Sequence, residues 1–268
     1  DDPEKSLEEQ QRIVSHIESL LPKVEQAKKL HASIVKDTEQ LMDAVLGEIY
    51  GPSTGKLQDA KQVSLSDLCY INPRKPRIDR ENDQATSFVP MAAVDEYFGA
   101  VTEIETKPYS DVRRGYTYFE ENDVCFAKIT PCMENGKVFI ANNLIDGFGF
   151  GSTEFHVVRR KPENESWLLP EWIYYFLRQT RVRNAAKRQF RGAVGQQRVP
   201  KSFLEDIKIS VPFFDDHEKS LERQQEIVAR FNEIKRLYLQ IHQFLTDYDQ
   251  QIKQLQQSIL SQAFKGNL

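Results

Sequence analysis

The pattern of apolar and polar positions divides the chain into three parts. Apolar or small residues recur alternately four and three apart over residues 13–45, and residues 227–259 repeat that spacing. A 3.5-residue repeat is typical of a coiled-coil seam. Between these segments, short β-rich runs alternate with turn residues. The pattern predicts an α+β fold in which a mainly β domain (52–213) is inserted between two long α-helical regions (1–51 and 214–268).

The two helical regions are copies of one another. "DDPEKSLEEQQRIV" at residue 1 and "DDHEKSLERQQEIV" at residue 215 share eleven of fourteen positions, and every seam position recurs 214 residues later. Pro22 lies inside the first pattern and is expected to kink or interrupt that helix. The principal predicted seam residues are Ile13, Ile17, Leu20, Val24, Leu41, Ile227, Phe231, Ile234, Ile241 and Leu255.

Each helix has one apolar stripe and needs a partner to cover it. If the inserted domain is compact, its two ends lie close together, and the helices run side by side in opposite directions. An antiparallel coiled coil is therefore expected, with parallel self-association as the structural alternative.

The inserted domain shows strand and turn signals. Strands are predicted in "TYFEENDVCFAKIT", "GKVFIANNL", "STEFHVVRRK" and "IKISVPFF", with tight turns at Asn135-Gly136 and Asp146-Gly147. One helix is predicted over about residues 170–188.

Charge is distributed unevenly around a net value of −4. The first helical region carries −5, the inserted domain +2 and the second helical region −1. Residues 178–204 contain eight Lys or Arg and no Asp or Glu. A solvated helix end is one interpretation, because cations are favourable near a helix C-terminus. The continuation "QFRGAVGQQRVPK", which alternates Gly, Gln and Arg, favours nucleic-acid contact instead.

Specific chemistry follows from that loop. Arg198 could pair with guanine edges and Gln196 or Gln197 with adenine, while Lys187 and Arg188 neutralise phosphates. A weaker basic cluster covers 73–80, and Lys128 and Lys137 flank the Asn135-Gly136 turn. The candidate DNA-contacting residues are Arg74, Lys75, Arg77, Arg114, Lys128, Asn135, Lys137, Lys187, Arg188, Arg191, Gln196, Gln197, Arg198 and Lys201.

Catalytic and metal-binding patterns are absent from the sequence. The glycines of "DGFGFGST" precede a strand rather than the helix that a nucleotide fingerprint needs, and "INPR" is not the amino-group motif of adenine methyltransferases. His156 is expected to be structural. The three cysteines lack CxxC spacing, which suits reduced thiols, and no run of 18 apolar residues exists. These features predict a non-catalytic cytoplasmic protein without a metal or membrane segment.

Four patches within the inserted domain and both helical regions resemble the specificity subunits (HsdS) of type I restriction–modification systems. The helical patches are "SLEEQQRIVSHIESLLPKVEQAKKL…LMDAVLGEIYG" and "SLERQQEIVARFNEIKRL…LQQSILSQAFKG". "FAKITPCMENGKVFI", "GSTEFHVVRRK", "WIYYFLRQ" and "GQQRVPKSFLEDIKISVP" resemble a target recognition domain of that family. The resemblance covers nearly the whole chain.

The resemblance implies a non-catalytic, sequence-specific subunit that binds double-stranded DNA. It implies docking of methyltransferase (M) and restriction (R) subunits on the helical rod, with S-adenosylmethionine bound by the M subunit and no cofactor on this chain. The chain looks like a half-subunit with one recognition domain, so a second domain is expected upstream, or a homodimer through the helices. A coiled-coil scaffold with a protein-binding domain and no DNA readout is the alternative.

Overall fold

The computed structural model describes residues 3–50, 59–96, 99–193 and 195–264. It divides into two compact units, each described by itself. One comprises Asp1–Met42 with Glu233–Leu268, and the other comprises Asp43–Asn232. The prediction that the chain combines helices and sheets is confirmed.

The first unit consists of parts of two long helices, α1 (Pro3–Tyr50) and α7 (His217–Phe264). The helical assignment of α1 continues through Pro22 without the interruption that the sequence suggested. A buried cluster joins Val24 with Ile252 and Ile259, and Leu20 and Ala27 pack against it. Beside this cluster, Lys28 Nζ donates a hydrogen bond to Gln256 Oε1 at 2.8 Å.

The predicted seam residues differ in burial. Val24, Ile227 and Phe231 are buried, whereas Ile241 and Leu255 are 43% and 53% exposed in this chain. Near Leu255 on α7, Ile252 and Ile259 are buried, and half-buried Gln256 accepts a hydrogen bond from Lys28 of α1. Leu255 therefore lies outside the contact between α1 and α7. Ile13, Ile17, Leu20 and Ile234 are half-buried, and the side chain of Leu41 lies outside the described residues.

Among the described residues of the second unit, ten strands form three sheets. Their orders are β1-β10, β2-β9-β6-β7 and β4-β3-β8-β5, and all pairings are antiparallel except β3 with β8. The strands are β1 (Ala60–Ser64), β2 (Cys69–Ile71), β3 (Ala85–Val89), β4 (Glu105–Pro108), β5 (Thr117–Glu120), β6 (Val124–Ala127), β7 (Val138–Ile140), β8 (Phe148–Gly151), β9 (Phe155–Arg160) and β10 (Lys208–Pro212).

One hydrophobic core cluster lies between the two four-stranded sheets. Alternation along a strand sends neighbouring side chains to opposite faces. Val89 and Phe119 therefore join Phe139, Phe155 and Val157 in one cluster. Their neighbours Phe88 and Tyr118 join Tyr109, Val112 and Phe150 in a second cluster.

Short helices complete the unit. Two of them occupy the segment in which the sequence predicted a single helix. The short helices are α2 (Leu65–Leu68), α3 (Tyr109–Val112), α4 (Pro170–Arg178), α5 (Thr180–Lys187) and α6 (Lys201–Asp206), with 3₁₀ turns at Met91–Ala93, Ile145–Gly147 and Pro162–Asn164. The single helix predicted over 170–188 is corrected, because Gln179 adopts ψ 135° and interrupts it. Its side chain donates to Phe176 O at 3.0 Å and holds this bend.

The inserted segment begins and ends with paired strands. β1 and β10 are antiparallel neighbours from Ala60↔Pro212 to Ser64↔Lys208. The expectation that the two ends of the domain lie close together is confirmed.

Ends of both long helices belong to this second unit. Tyr50, the last residue of α1, is fully buried, and its hydroxyl donates to Trp172 O at 2.8 Å. Its ring stacks at 6.3 Å on Phe231 of α7. At the start of α7, Asp216 Oδ1 accepts from Lys219 N at 3.2 Å, as an N-cap residue does.

Candidate nucleic-acid interface

Two loops that are distant in sequence form one surface. The first (residues 128–137) connects β6 to β7, and the second (191–198, with Val194 outside the described residues) follows α5. Thr130 N donates to Gln197 O at 3.0 Å, and Val199 N donates to Lys128 O at 2.8 Å. Arg198 makes bridge pairs with both Ile129 and Arg191. Both groups of candidate DNA-contacting residues therefore lie together.

The first loop is held by a network around Glu134. The carboxylate accepts from Thr130 Oγ1 at 2.6 Å and pairs with Lys187 Nζ at 2.5 Å, while Arg183 Nη1 donates to Glu134 O at 2.7 Å. The hydrogen bond from Lys187 lowers the pKa of Glu134. Lys187, expected to neutralise phosphate, is therefore already paired, although its side chain is 58% exposed.

Other polar candidates in the first loop also have partners. Asn135 Nδ2 donates to Glu96 Oε2 at 2.7 Å, and Lys137 Nζ donates to Met91 O at 3.1 Å. Gly136 takes φ +81° at the end of the turn, as the Asn-Gly dipeptide predicts. These bonds hold the loop in one shape.

Arg198 is held by Glu154, the residue before β9. Its Nε and Nη2 donate to the two carboxylate oxygens at 2.9 and 2.8 Å, and its Nη1 donates to Gln196 O at 2.9 Å. The pKa of Glu154 is lowered, chiefly by this hydrogen bonding from Arg198. The predicted base-reading arginine therefore has one edge already occupied.

Several candidate cations remain exposed. Within the described part of the chain, no hydrogen bond or ion pair engages the side chains of five arginines. These are Arg74, Arg77, Arg114, Arg188 and Arg191. Such free cations suit phosphate contacts, because each contact releases condensed counterions from DNA.

Two clefts flank the Asn72-Pro73 segment. One, of about 310 Å³, is lined by Lys75, Lys128 and the exposed ring of Tyr116. The other, of about 500 Å³, is lined by Arg74, Lys201 and the exposed ring of Tyr70. Lys75 Nζ also donates to Arg113 O at 2.7 Å, and Lys201 pairs with Glu205 at 2.8 Å. Half-burial lowers the pKa of Lys128.

His156 is buried behind this surface. Asn72 Oδ1 accepts from Val157 N, so Asn72 Nδ2 donates to His156 Nδ1 at 2.9 Å. The ring therefore carries its proton on Nε2, which donates to Val199 O at 2.8 Å. The structural role expected of His156 agrees with these bonds, which join β9 to the end of the second loop.

Stability is expected to depend on His156 below neutral pH. Burial lowers the pKa of His156, the hydrogen bond to Val199 O and the charge of Glu154 oppose this shift, and the charges of Lys128 and Lys201 add to it. The unfolded chain, whose histidine pKa is about 6.5, then binds more protons than the folded chain, so unfolding free energy falls as pH drops below that value. Urea unfolding at pH 7 and pH 5 should show this loss in the wild type and a smaller loss in His156→Gln. Equal losses in both proteins would contradict it.

No cluster of three or more His, Cys, Asp or Glu side chains that could hold a metal occurs among the residues that the structure describes. In the same residues, no helix is long and apolar enough to cross a membrane. Cys69, Cys125 and Cys132 are free thiols.

Comparison with known proteins places the chain among specificity proteins. The family model described as "Type I restriction modification DNA specificity domain" matches residues 58–260. The chain is similar to the type I restriction enzyme EcoAI specificity subunit of Escherichia coli, at 35% identity over 184 residues. It is equally similar, 35% over 181 residues, to the EcoEI specificity subunit of the same organism. The chain belongs to this family. The resemblance seen in the sequence is confirmed, and a specificity domain is a recognition rather than a catalytic module.

Solved structures agree on the fold of this specificity chain. A chain from a study of complex assembly and conformational transition in the type I R-M system superposes with a TM-score of 0.71 at 23% identity, covering 98% of this chain and 60% of the other. The HsdS subunit from Thermoanaerobacter tengcongensis gives 0.55 at 22% identity, covering 97% and 59%. The present chain spans 29% of the EcoAI subunit and 28% of the EcoEI subunit.

Sequence reasoning missed three residues of the specificity domain's candidate surface. Glu154 stands 44 residues before Arg198, and no periodicity connects them. Tyr116 follows Arg114 and Gly115. An aromatic residue directly after an arginine and a glycine was the available sequence indication of a contact surface. Asn72 has φ +53°, a conformation that asparagine adopts more readily than most residues.

Proposed function

We propose that this chain binds double-stranded DNA sequence-specifically through the surface formed by residues 128–137 and 191–198. One observation carries the proposal. The backbone bonds between Thr130 and Gln197 and between Lys128 and Val199 join the two loops that the sequence independently suggested. Family membership supports a DNA-binding role for this surface, because the matched family is described as a DNA specificity domain.

The arrangement suits a division between phosphate and base contacts. Arg188 and Arg191 are exposed and have no side-chain partner among the described residues, so they are suited to phosphates. Gln196, Gln197 and Arg198 present amide and guanidinium groups, which match the acceptors and donors of adenine and guanine edges. One such domain would read one half of a split target.

The helices are proposed to form an antiparallel coiled coil that docks partner subunits. Support comes from the buried cluster of Val24, Ile252 and Ile259 and from the Lys28–Gln256 hydrogen bond. The proposed partners are an adenine methyltransferase subunit, which binds S-adenosylmethionine, and a restriction subunit. A second copy of this chain is a further proposed partner, and the complex is proposed to be cytoplasmic.

Loss of Arg188 or Arg191 is expected to weaken binding to all DNA sequences similarly. Each lost phosphate contact should reduce the slope of log K against log salt concentration by about one. The measurement is fluorescence anisotropy of the chain, reconstituted with its methyltransferase partner, on labelled duplexes between about 50 and 200 mM salt. Over that range a protein with 6–10 phosphate contacts loses about 10³–10⁵-fold in affinity, so a change in slope is measurable.

Lys23→Ala is the control, because it removes the same charge from an exposed position on α1. If Arg188→Ala and Arg191→Ala match this control, DNA does not bind here. Partner binding without any DNA binding by the wild-type complex would favour the scaffold alternative.

A further inference from the structure

The contact between Glu154 and Arg198 leaves part of the guanidinium available. Arginine carries five N–H donors in a planar fork. Nε and Nη2 form one edge of that fork, and the two oxygens of Glu154 occupy it at 2.9 and 2.8 Å. Nη1 and Nη2, which form the outer edge, each keep one N–H group beyond those that bind Gln196 O and Glu154. The Arg198 side chain is 42% exposed.

Glu154 is itself held firmly. Its backbone oxygen accepts from Lys128 N at 2.8 Å, and its backbone nitrogen donates to Ser152 Oγ at 3.2 Å. It directly precedes β9, which pairs with β6 in the β2-β9-β6-β7 sheet. Its side chain is only 21% exposed. The backbone of Glu154 is therefore fixed beside the sheet, and its half-buried carboxylate meets the more exposed side chain of Arg198, a loop residue.

A flexible arginine loses side-chain entropy when it binds a base, and a bidentate carboxylate reduces that loss by fixing the plane of the guanidinium beforehand. Guanine offers two acceptors, N7 and O6, in the major groove, which the outer edge of an arginine can contact together.

We propose that Glu154 is a positioning residue for base reading. It holds the inner edge of the Arg198 guanidinium so that the outer edge faces a guanine of the target. The inference rests on the proposed function, since it assigns a role within the same DNA-binding surface. Glu154 is not expected to contact DNA itself, because its carboxylate would repel phosphates.

The test compares Glu154→Gln with the wild type in the complex reconstituted with the methyltransferase partner. The target is first mapped by sequencing methylated adenines in unmethylated genomic DNA exposed to the complex. Binding is then measured on a duplex with that target, on duplexes with each guanine replaced in turn, and on a random-sequence duplex.

For Glu154→Gln, affinity for the target should fall roughly 5- to 100-fold, and discrimination at one guanine should fall with it. Affinity for the random duplex should stay equal or rise, since a negative charge has been removed. Arg198→Lys, which keeps the charge but not the fork, should lose discrimination at the same guanine. Glu154→Gln added to Arg198→Lys should cause little further loss.

Glu226→Gln is the matched control, because it removes the carboxylate of an exposed pair with Arg223 on α7. It should leave discrimination unchanged. Equal gains by Glu154→Gln on all duplexes would mean that Glu154 only repels DNA, and equal losses would mean that it only supports the fold. Either result overturns the inference. Absence of any sequence preference in the wild-type complex would instead overturn the proposed function.

Discussion

Replacement of Tyr50 by alanine is expected to lower the free energy of unfolding of the 43–232 unit by about 3–5 kcal/mol, the range for large aromatic residues in cores. Tyr50 is fully buried and packs 4.6 Å from the Trp172 ring, centroid to centroid. Its removal would leave a cavity between α4 and the end of α1. It would also leave Trp172 O without the hydroxyl that donates to it.

Chemical denaturation followed by tryptophan fluorescence measures this loss, since the chain's two tryptophans, Trp167 and Trp172, both belong to that unit. Tyr50→Phe keeps the ring and should cost only about 1 kcal/mol. Leu30→Ala is the control on the same helix, because Leu30 is 63% exposed, and it should change stability by no more than about 0.5 kcal/mol. A Tyr50→Ala protein as stable as this control would show that Tyr50 does not anchor α1 to the domain.

Arg159→Met is expected to cost a similar amount, about 3–5 kcal/mol, because it leaves a buried carboxylate without its cation. Asp123 is 1% exposed, and Arg159 Nη2 donates to its Oδ2 at 2.7 Å. Arg159 Nη1 also pairs with Glu120 at 2.6 Å. These contacts tie the turn between β5 and β6 to β9.

Burial raises the pKa of Asp123 even beside Arg159. In Arg159→Met the folded state therefore binds a proton more readily than the unfolded state, and stability rises as pH falls. In urea unfolding, the loss of unfolding free energy of Arg159→Met relative to the wild type should be smaller at pH 5 than at pH 8. The double variant Asp123→Leu/Arg159→Met should recover much of the loss, since an apolar pair needs no charge compensation. If the double variant is as unstable as the sum of the single ones, packing and not charge is responsible.

The long-range order of the chain was predictable where a pattern extends over many residues. The heptads of α1 and α7 recur over more than 30 residues each, so a single helix-unfavourable residue such as Pro22 does not obscure the pattern. The Asn135-Gly136 and Asp146-Gly147 turns were also predictable, because both glycines take positive φ, +81° and +76°.

Short elements and distant contacts were not predictable. β1 to β4 contain three to five residues each, too few for a period to stand out. The bend at Gln179 depends on a buried side chain that bonds to the preceding turn, which propensity does not reveal. Candidate cations were identified by residue type alone. Their partners, Glu134 for Lys187 and Glu154 for Arg198, are brought close only by the fold.

The pairing of β1 with β10 has a consequence for how such a protein can change. Because Ala60 lies opposite Pro212, the 151 residues between them begin and end at neighbouring positions. A different domain of the same family could replace this segment and meet the helices through the same two neighbouring strands. With DNA reading in this segment and partner docking on the helices, as proposed above, a chain of this design would acquire a new target by exchanging one segment while its helices stay unchanged.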